Sequence, residues 1–210
     1  RLCCLTNEPE GIHPAVEIRP CPVLELPPRM RNGGWRKVSL WAEQVADLTG
    51  EWLFLDLDII LTGPLDAFFQ HQDESDYLVM RNYTTPGRRI GNTSVFRFTV
   101  GSHPEVLGRL LEDPQAMRDR YSNSQTFVSN TIGQMAFWPD GWIRQFKVHC
   151  LHPWPLRLVL QPRRFPDAKI VVCTGHPTPE ELATGRWEAP WYKKIYKHIP
   201  PVGWVAEAWR

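Results

Sequence analysis

The stretch EWLFLDLDIILTG, residues 51–63, decides how this chain is read. Trp52–Leu55 and Ile59–Leu61 form an apolar run of the kind buried on both faces of a parallel sheet. Asp56 and Asp58 interrupt that run, with only Leu57 between them. An ionised carboxylate inside such a strand is very costly unless something pairs with it. Residues two apart on a strand point the same way, so both acids face one spot. Two like charges at one spot want a cation. Either a metal sits there, or the chain leaves the core and the acids are solvated.

The bulk composition narrows the partners. The 210 residues suit one large domain, and 42% hydrophobic with 22% charged residues is ordinary globular composition. Lys plus Arg is 24 against 23 for Asp plus Glu. That balance points away from nucleic acid, so any anion must be held locally. The five cysteines are odd in number and have no C-x-x-C spacing. They argue against a disulfide framework or a zinc knuckle and favour a reducing, cytoplasmic setting. No apolar stretch approaches the roughly 20 residues of a membrane span, and no signal-peptide pattern is read. The 20 prolines and 10 tryptophans concentrate after residue 137, where they suggest ordered irregular packing.

Along the chain, LCCLT and AVEIRP read as short strands. Residues 33–50, GGWRKVSLWAEQVADLTG, predict a helix, with Val38, Trp41, Val45 and Leu48 at helical spacing and Gly50 as its stop. After the acid-bearing strand come a short helix (LDAFF), a strand (YLVM) and the polar, glycine-containing loop RNYTTPGRRIGN, a type of segment that carries function. TSVFRF is a further strand. SHPEVLGRLLED predicts a helix with a Ser102–Glu105 capping box, and SQTFVSNTIGQM a second helix. KIVVCTG is the last strand. TPEELAT predicts a helix capped by Thr178, with Pro179 first and Glu181 closing the box. Alternating strands and helices indicate an α/β domain with a mixed, mainly parallel sheet and helices on both faces. Ligands bind such sheets beyond the carboxyl ends of the strands, where Asp56, Asp58 and His176 all fall.

These residues carry a resemblance. FLDLDIILTGPLD resembles the D-x-D motif of nucleotide-sugar glycosyltransferases of the A-type fold, in the branch of glycogenin and the lipopolysaccharide galactosyltransferases. WRKVSLW resembles that family's helix with a basic residue near the diphosphate, and GNTSVFRF its strand lining the donor sugar. VVCTGHPTP resembles the late strand whose histidine completes the metal site. The likeness runs from about residue 1 to 198 and implies a single glycosyltransferase domain over 1–210, Rossmann-like, with a Trp/Pro-rich helical tail over 185–210. Two features depart from the pattern. A first strand, part of the uridine pocket, is expected ahead of residue 1, and Ser124-Gln125 stands where Asp-Gln is common.

The resemblance implies transfer of a hexose from a nucleoside diphosphate sugar, most simply a UDP-sugar. Asp56, Asp58 and Gln125 would be the catalytic residues. Arg36, Lys37, Asp56 and Asn92 would hold the nucleotide sugar, and Asp56, Asp58 and His176 a metal. Carboxylates with one imidazole suit Mn²⁺ better than Mg²⁺. The acceptor is open among carbohydrate, lipid-linked and protein classes, and peripheral membrane contact is compatible with the sequence. Two other readings stay beside this one. A non-catalytic nucleotide-sugar-binding homologue is suggested by Ser124. A haloacid-dehalogenase-type phosphatase shares the strand-D-x-D pattern, but needs a downstream acidic pair. The acids after residue 176 (Glu180, Glu181, Glu188 and Glu207) include none at a strand end.

Overall fold

The computed structural model describes residues 1–31, 33–187, 190–192 and 198–209. Two short strands, β1 (Cys3–Leu5) and β2 (Glu17–Arg19), pair in parallel, followed by a helical turn, α1 (Pro28–Arg31). The helix expected over 33–50 is instead a 3₁₀ helix over Gly34–Trp41. Val38, Ser39, Leu40 and Trp41 are all buried, and four consecutive residues cannot share one face of an α-helix. Trp35, Val38 and Trp41 recur at intervals of three, the 3₁₀ period. Ala42 is extended and Ala46 has a positive φ of 49°, so Val45 and Leu48 reach the core from a turn.

The apolar run around the acids is two strands, where the sequence suggests one. β3 (Glu51–Leu55) pairs antiparallel with β6 (Gly91–Thr99), and β4 (Ile59–Leu61) pairs antiparallel with β9 (Ile170–Val172). The chain changes sheets across Asp56–Asp58. Helix α2 (Asp66–Gln70) leads to β5 (Tyr77–Arg81), which lies between β6 and β7 (Ala136–Phe137) in a sheet ordered β3-β6-β5-β7. β8 (Ile143–Gln145) completes the smaller sheet, ordered β4-β9-β8. Pairings among the described residues divide into three parallel and three antiparallel. The fold is mixed α/β as expected, with more antiparallel pairing than the sequence suggests. Much of the difference lies in the β5–β6 hairpin, whose short connection only an antiparallel pair can use.

The central strands β5 and β6 are buried on both faces, and successive residues face different cores. Tyr77, Val79, Phe96 and Phe98 face one core, packed by the 3₁₀ helix, α3 (Pro104–Glu112) and α5 (Ser124–Ile132). Leu78, Met80 and Val95 face a second core, shared with Ile59, Ile170 and Val172 of the smaller sheet. The far face of that sheet, Ile60 and Val171, packs against Leu182 of α6 (Pro179–Thr184) and Val205 of the helix Gly203–Ala208. Arg97 is buried on the second face, where it donates to the carbonyls of Phe68 (2.8 Å) and His71 (2.9 Å) and pairs with Glu51 at 3.0 Å. Gly91 permits close strand packing, because a Cβ there would lie 2.6 Å from Val79.

Several local expectations change. Ser102 does not cap α3; its hydroxyl donates to the Thr99 carbonyl at 2.8 Å, and His103 takes the cap position. Helix α4 (Pro114–Arg120), capped by Asp113, was not apparent in the sequence. The capping box of α6 forms as read. Of the helical tail expected over 185–210, residues 188–189, 193–197 and 210 lie outside the described residues, and Gly203–Ala208 is helical.

Candidate active site

Asp56 and Asp58 sit at the seam between the two sheets. The backbone N–H of Asp56 donates to Ser94 on β6 (2.9 Å), and the Asp58 carbonyl accepts from Cys173 after β9 (2.8 Å). Leu57 between them is 88% exposed. The apolar side chain is in water and the two acids are half-buried, the reverse of what hydrophobicity alone would arrange.

The two carboxylates are held differently. Lys37 on the 3₁₀ helix donates to Asp56 Oδ2 at 2.5 Å, and its Nζ lies 3.4 Å from the Thr93 carbonyl. Among the described residues Asp58 has no such cation. Burial, then the neighbouring Asp56 charge, raises its pKa above the ordinary carboxylate value, opposed by the Gly175 backbone N–H and the more distant Lys37. Arg36, next to Lys37, points into solvent on the exposed side of the 3₁₀ helix.

Asn92 and Gln125 flank this seam. Asn92 is 3% exposed, and its side-chain oxygen accepts from the Ser94 N–H at 2.9 Å. Gln125 opens α5 behind its cap Asn123, and its Oε1 accepts from Asn82 Nδ2 at 3.2 Å. Ser124 is buried where α5 meets the 3₁₀ helix: a Cβ on Gly34 would lie 2.7 Å from its hydroxyl. Its small size is therefore matched to a close approach of two backbones.

His176 follows Gly175, the residue whose N–H faces Asp58. Its Nδ1 donates to Glu181 Oε2 at 2.9 Å, and the same carboxylate oxygen accepts from the Thr178 N–H at 2.7 Å. A carboxylate can only accept, so this bond keeps the proton on Nδ1 and leaves the Nε2 lone pair outward.

No protein-family model matches the sequence, and no curated protein matches it. The structure does have relatives. Galactosyltransferase LgtC in complex with donor and acceptor sugar analogs superposes with a TM-score of 0.56 at 14% identity, over 89% of this chain and 77% of that one. An active-site mutant of LgtC gives 0.51 at 14% identity, over 86% and 79%. The glycosyltransferase GlyE of Streptococcus pneumoniae gives 0.47 at 15% identity, over 77% of this chain and 43% of its own. The chain has the A-type glycosyltransferase fold.

Within this fold the metal-ligand set read from the sequence is only partly assembled. Among the described residues, no three His, Cys, Asp or Glu side chains lie close enough together to share an ion. The chemistry of the individual groups nevertheless fits one. Asp58 is a desolvated carboxylate beside a second acid, and His176 has the carboxylate-oriented imidazole typical of metal ligands. Asp56 is the weakest candidate, because Lys37 already neutralises it.

Sequence reasoning missed the residues that brace the His176 loop. Gln145 on β8 is buried and donates to the Thr174 hydroxyl at 3.2 Å, while Lys147 donates to the Thr174 carbonyl at 2.6 Å. His149 accepts from the Gln145 N–H at 2.9 Å, and its ring meets the Tyr83 edge with centroids 4.5 Å apart. Burial lowers the His149 pKa. The sequence signal for this bracing was weak, since IRQFKVHC has neither helical nor strand periodicity and forms a three-residue strand followed by a π-helical turn. Among the described residues no helix is long and apolar enough to cross a membrane.

Proposed function

We propose that this chain transfers a hexose from a nucleoside diphosphate sugar, a UDP-sugar, to an acceptor hydroxyl in a step that depends on Mn²⁺ or Mg²⁺. The observation that carries this reading is the Asp58 carboxylate, half-buried beside Asp56 at the seam of an A-type fold and without an ion-pair partner among the described residues. Asp58 and Nε2 of His176 would hold the ion, with Asp56 beside them. The bound ion would supply Lewis-acid stabilisation of the charge that gathers on the departing diphosphate. Lys37 adds a fixed positive charge at the same edge, already oriented by Asp56 and the Thr93 carbonyl. Gln125, turned by Asn82, would hydrogen-bond the donor sugar, with Asn92 shaping the strand nearby. Leu57, exposed between the acids, is an apolar surface for the donor to cover.

The test is a thermal-shift panel of nucleoside diphosphates and nucleotide sugars, each with Mn²⁺ and with EDTA. UDP at 100 times its dissociation constant should stabilise the protein by about 2.7 kcal/mol with Mn²⁺ and clearly less with EDTA. Asp58→Asn should remove the difference between the two. Equal stabilisation with and without metal would overturn the reading. The non-catalytic alternative rests on Ser124, and it is distinguished by donor turnover, which it lacks.

A further inference from the structure

The loop between β5 and β6 shapes a cleft of about 300 Å³, lined on one side by Arg81, Arg88 and Arg89 and floored by Phe137. That volume is at the small end of the range for small-molecule sites. The Arg81 guanidinium lies 4.3 Å from the Phe137 ring centroid and that of Arg89 lies 5.6 Å from it. Arg89 also donates to the Met135 carbonyl. Two of the three cations are thus held over one aromatic ring before any ligand arrives. None of the three has an ion-pair partner among the described residues. In a chain with 24 basic and 23 acidic residues, three unpaired guanidinium groups around one cleft are a local excess that long-range charge does not explain. The Thr85 hydroxyl at the same cleft is shielded from water and has no hydrogen-bond partner among the described residues.

The cleft adjoins the candidate active site through one residue. Asn82 lines it and donates to Gln125, the residue placed at the donor sugar. Asn82 thus links the cleft to the residue assigned to the donor sugar, and an acceptor must reach that same sugar. Planar guanidinium groups recognise phosphate oxygens two at a time, and three of them suit a phosphoryl group better than a neutral sugar.

We propose that this cleft is the acceptor subsite and that the acceptor carries a phosphate group, bound by Arg81, Arg88 and Arg89. This rests on the glycosyltransferase reading above. A sugar phosphate and a phospholipid headgroup share this chemistry, and the experiment separates them. Calorimetry with UDP and Mn²⁺ present measures binding of glucose 6-phosphate, glucose and inorganic phosphate, and flotation measures binding to phosphatidate and phosphatidylcholine vesicles. Among the described residues Arg88 has no side-chain hydrogen bond, ion pair or ring contact, so Arg88→Ala tests the site without disturbing the Phe137 stack. Arg81→Gln is the second variant. Glucose 6-phosphate should bind and glucose should not, with each variant weakening binding at least fivefold and leaving UDP affinity within twofold. Inorganic phosphate binding that depends on Arg88 supports recognition through the phosphoryl group itself. Phosphatidate binding that depends on Arg88 places that group on a lipid. Absence of binding by every phosphate probe, or binding indifferent to both variants, overturns the proposal. A loss of UDP affinity in either variant also overturns it, by assigning the arginines to the donor. If phosphate binds through Arg88 while UDP with Mn²⁺ binds nowhere, the glycosyltransferase reading falls and the cleft remains as an anion site.

Discussion

The four-stranded and three-stranded sheets meet at Leu57, and each brings one aspartate to the meeting point. The larger sheet holds Asp56 through the Ser94 carbonyl and neutralises it with Lys37. The smaller sheet holds Asp58 through Cys173, and backbone N–H groups of Gly175 and of Asp58 itself face its carboxylate. The cores differ in the same sense. The larger sheet stacks Trp41, Phe54, Tyr77 and Phe98 around Phe96, with ring centroids 4.9–5.9 Å apart. The smaller sheet is three short strands of Ile, Val and Leu side chains with Arg144 and Gln145. One half is built for rigidity, and the other presents an electrostatic deficit that a ligand can fill.

The largest expected effect tests the contrast in rigidity. Phe96→Ala empties the centre of the aromatic stack and should cost about 4 kcal/mol in urea denaturation. Val171→Ala, on the smaller sheet and also buried, loses two methyl groups at ~0.8 kcal/mol each and should cost about 2 kcal/mol. Equal losses would mean that the two sheets share one core energetically, and the contrast would dissolve.

That contrast also explains what the sequence made legible. The Thr178–Glu181 capping box and the Ile170–Val172 strand are local patterns whose physics is complete within a few residues, and both form as read. The change of sheet at Asp56–Asp58 depends on which distant strands are available, so an unbroken apolar run concealed it. The 3₁₀ helix was concealed too, since Val38, Trp41, Val45 and Leu48 fit a helical spacing while Ser39 and Leu40 between them are also buried. The polar loop RNYTTPGRRIGN was recognisable as functional by composition. Its arginine cleft depends on Phe137, 48 residues beyond Arg89 and on a two-residue strand with no signal of its own. Lys37 was legible as a basic residue near the acids, but its direct pairing with Asp56 was not.

A smaller effect concerns that pairing. Lys37→Met leaves the half-buried Asp56 carboxylate without its cation and next to Asp58. The expected loss is about 2 kcal/mol, the range for a charged hydrogen bond that is only partly shielded from water. Adding Asp56→Asn should recover most of it, because the orphaned charge goes with the substitution. A Lys37→Met variant within 0.5 kcal/mol of the wild type, below the ~1.5 kcal/mol floor for such bonds, would show that Asp56 needs no partner and that the two acids are equivalent.

The smallest effect has the opposite sign. The Asp58 pKa is raised in the folded protein, chiefly by burial and then by Asp56, so folding penalises its ionised form. The carboxyl group's contribution is fully favourable below its unfolded value, 3.8, and is lost as pH rises through the higher folded value. Asp58→Asn keeps an oxygen for the Gly175 N–H and carries no charge. Without metal, the variant should therefore melt above the wild type at pH 7. That advantage should shrink as the pH is lowered and disappear below 3.8, where the wild-type carboxyl group becomes protonated in both states. With UDP and Mn²⁺ the order should reverse at pH 7, because the charge that is a liability in the empty protein is what balances the ion. A metal-free Asp58→Asn variant less stable than the wild type at pH 7 would mean that Asp58 has a structural partner. The uncompensated acid would then be no mark of a binding edge.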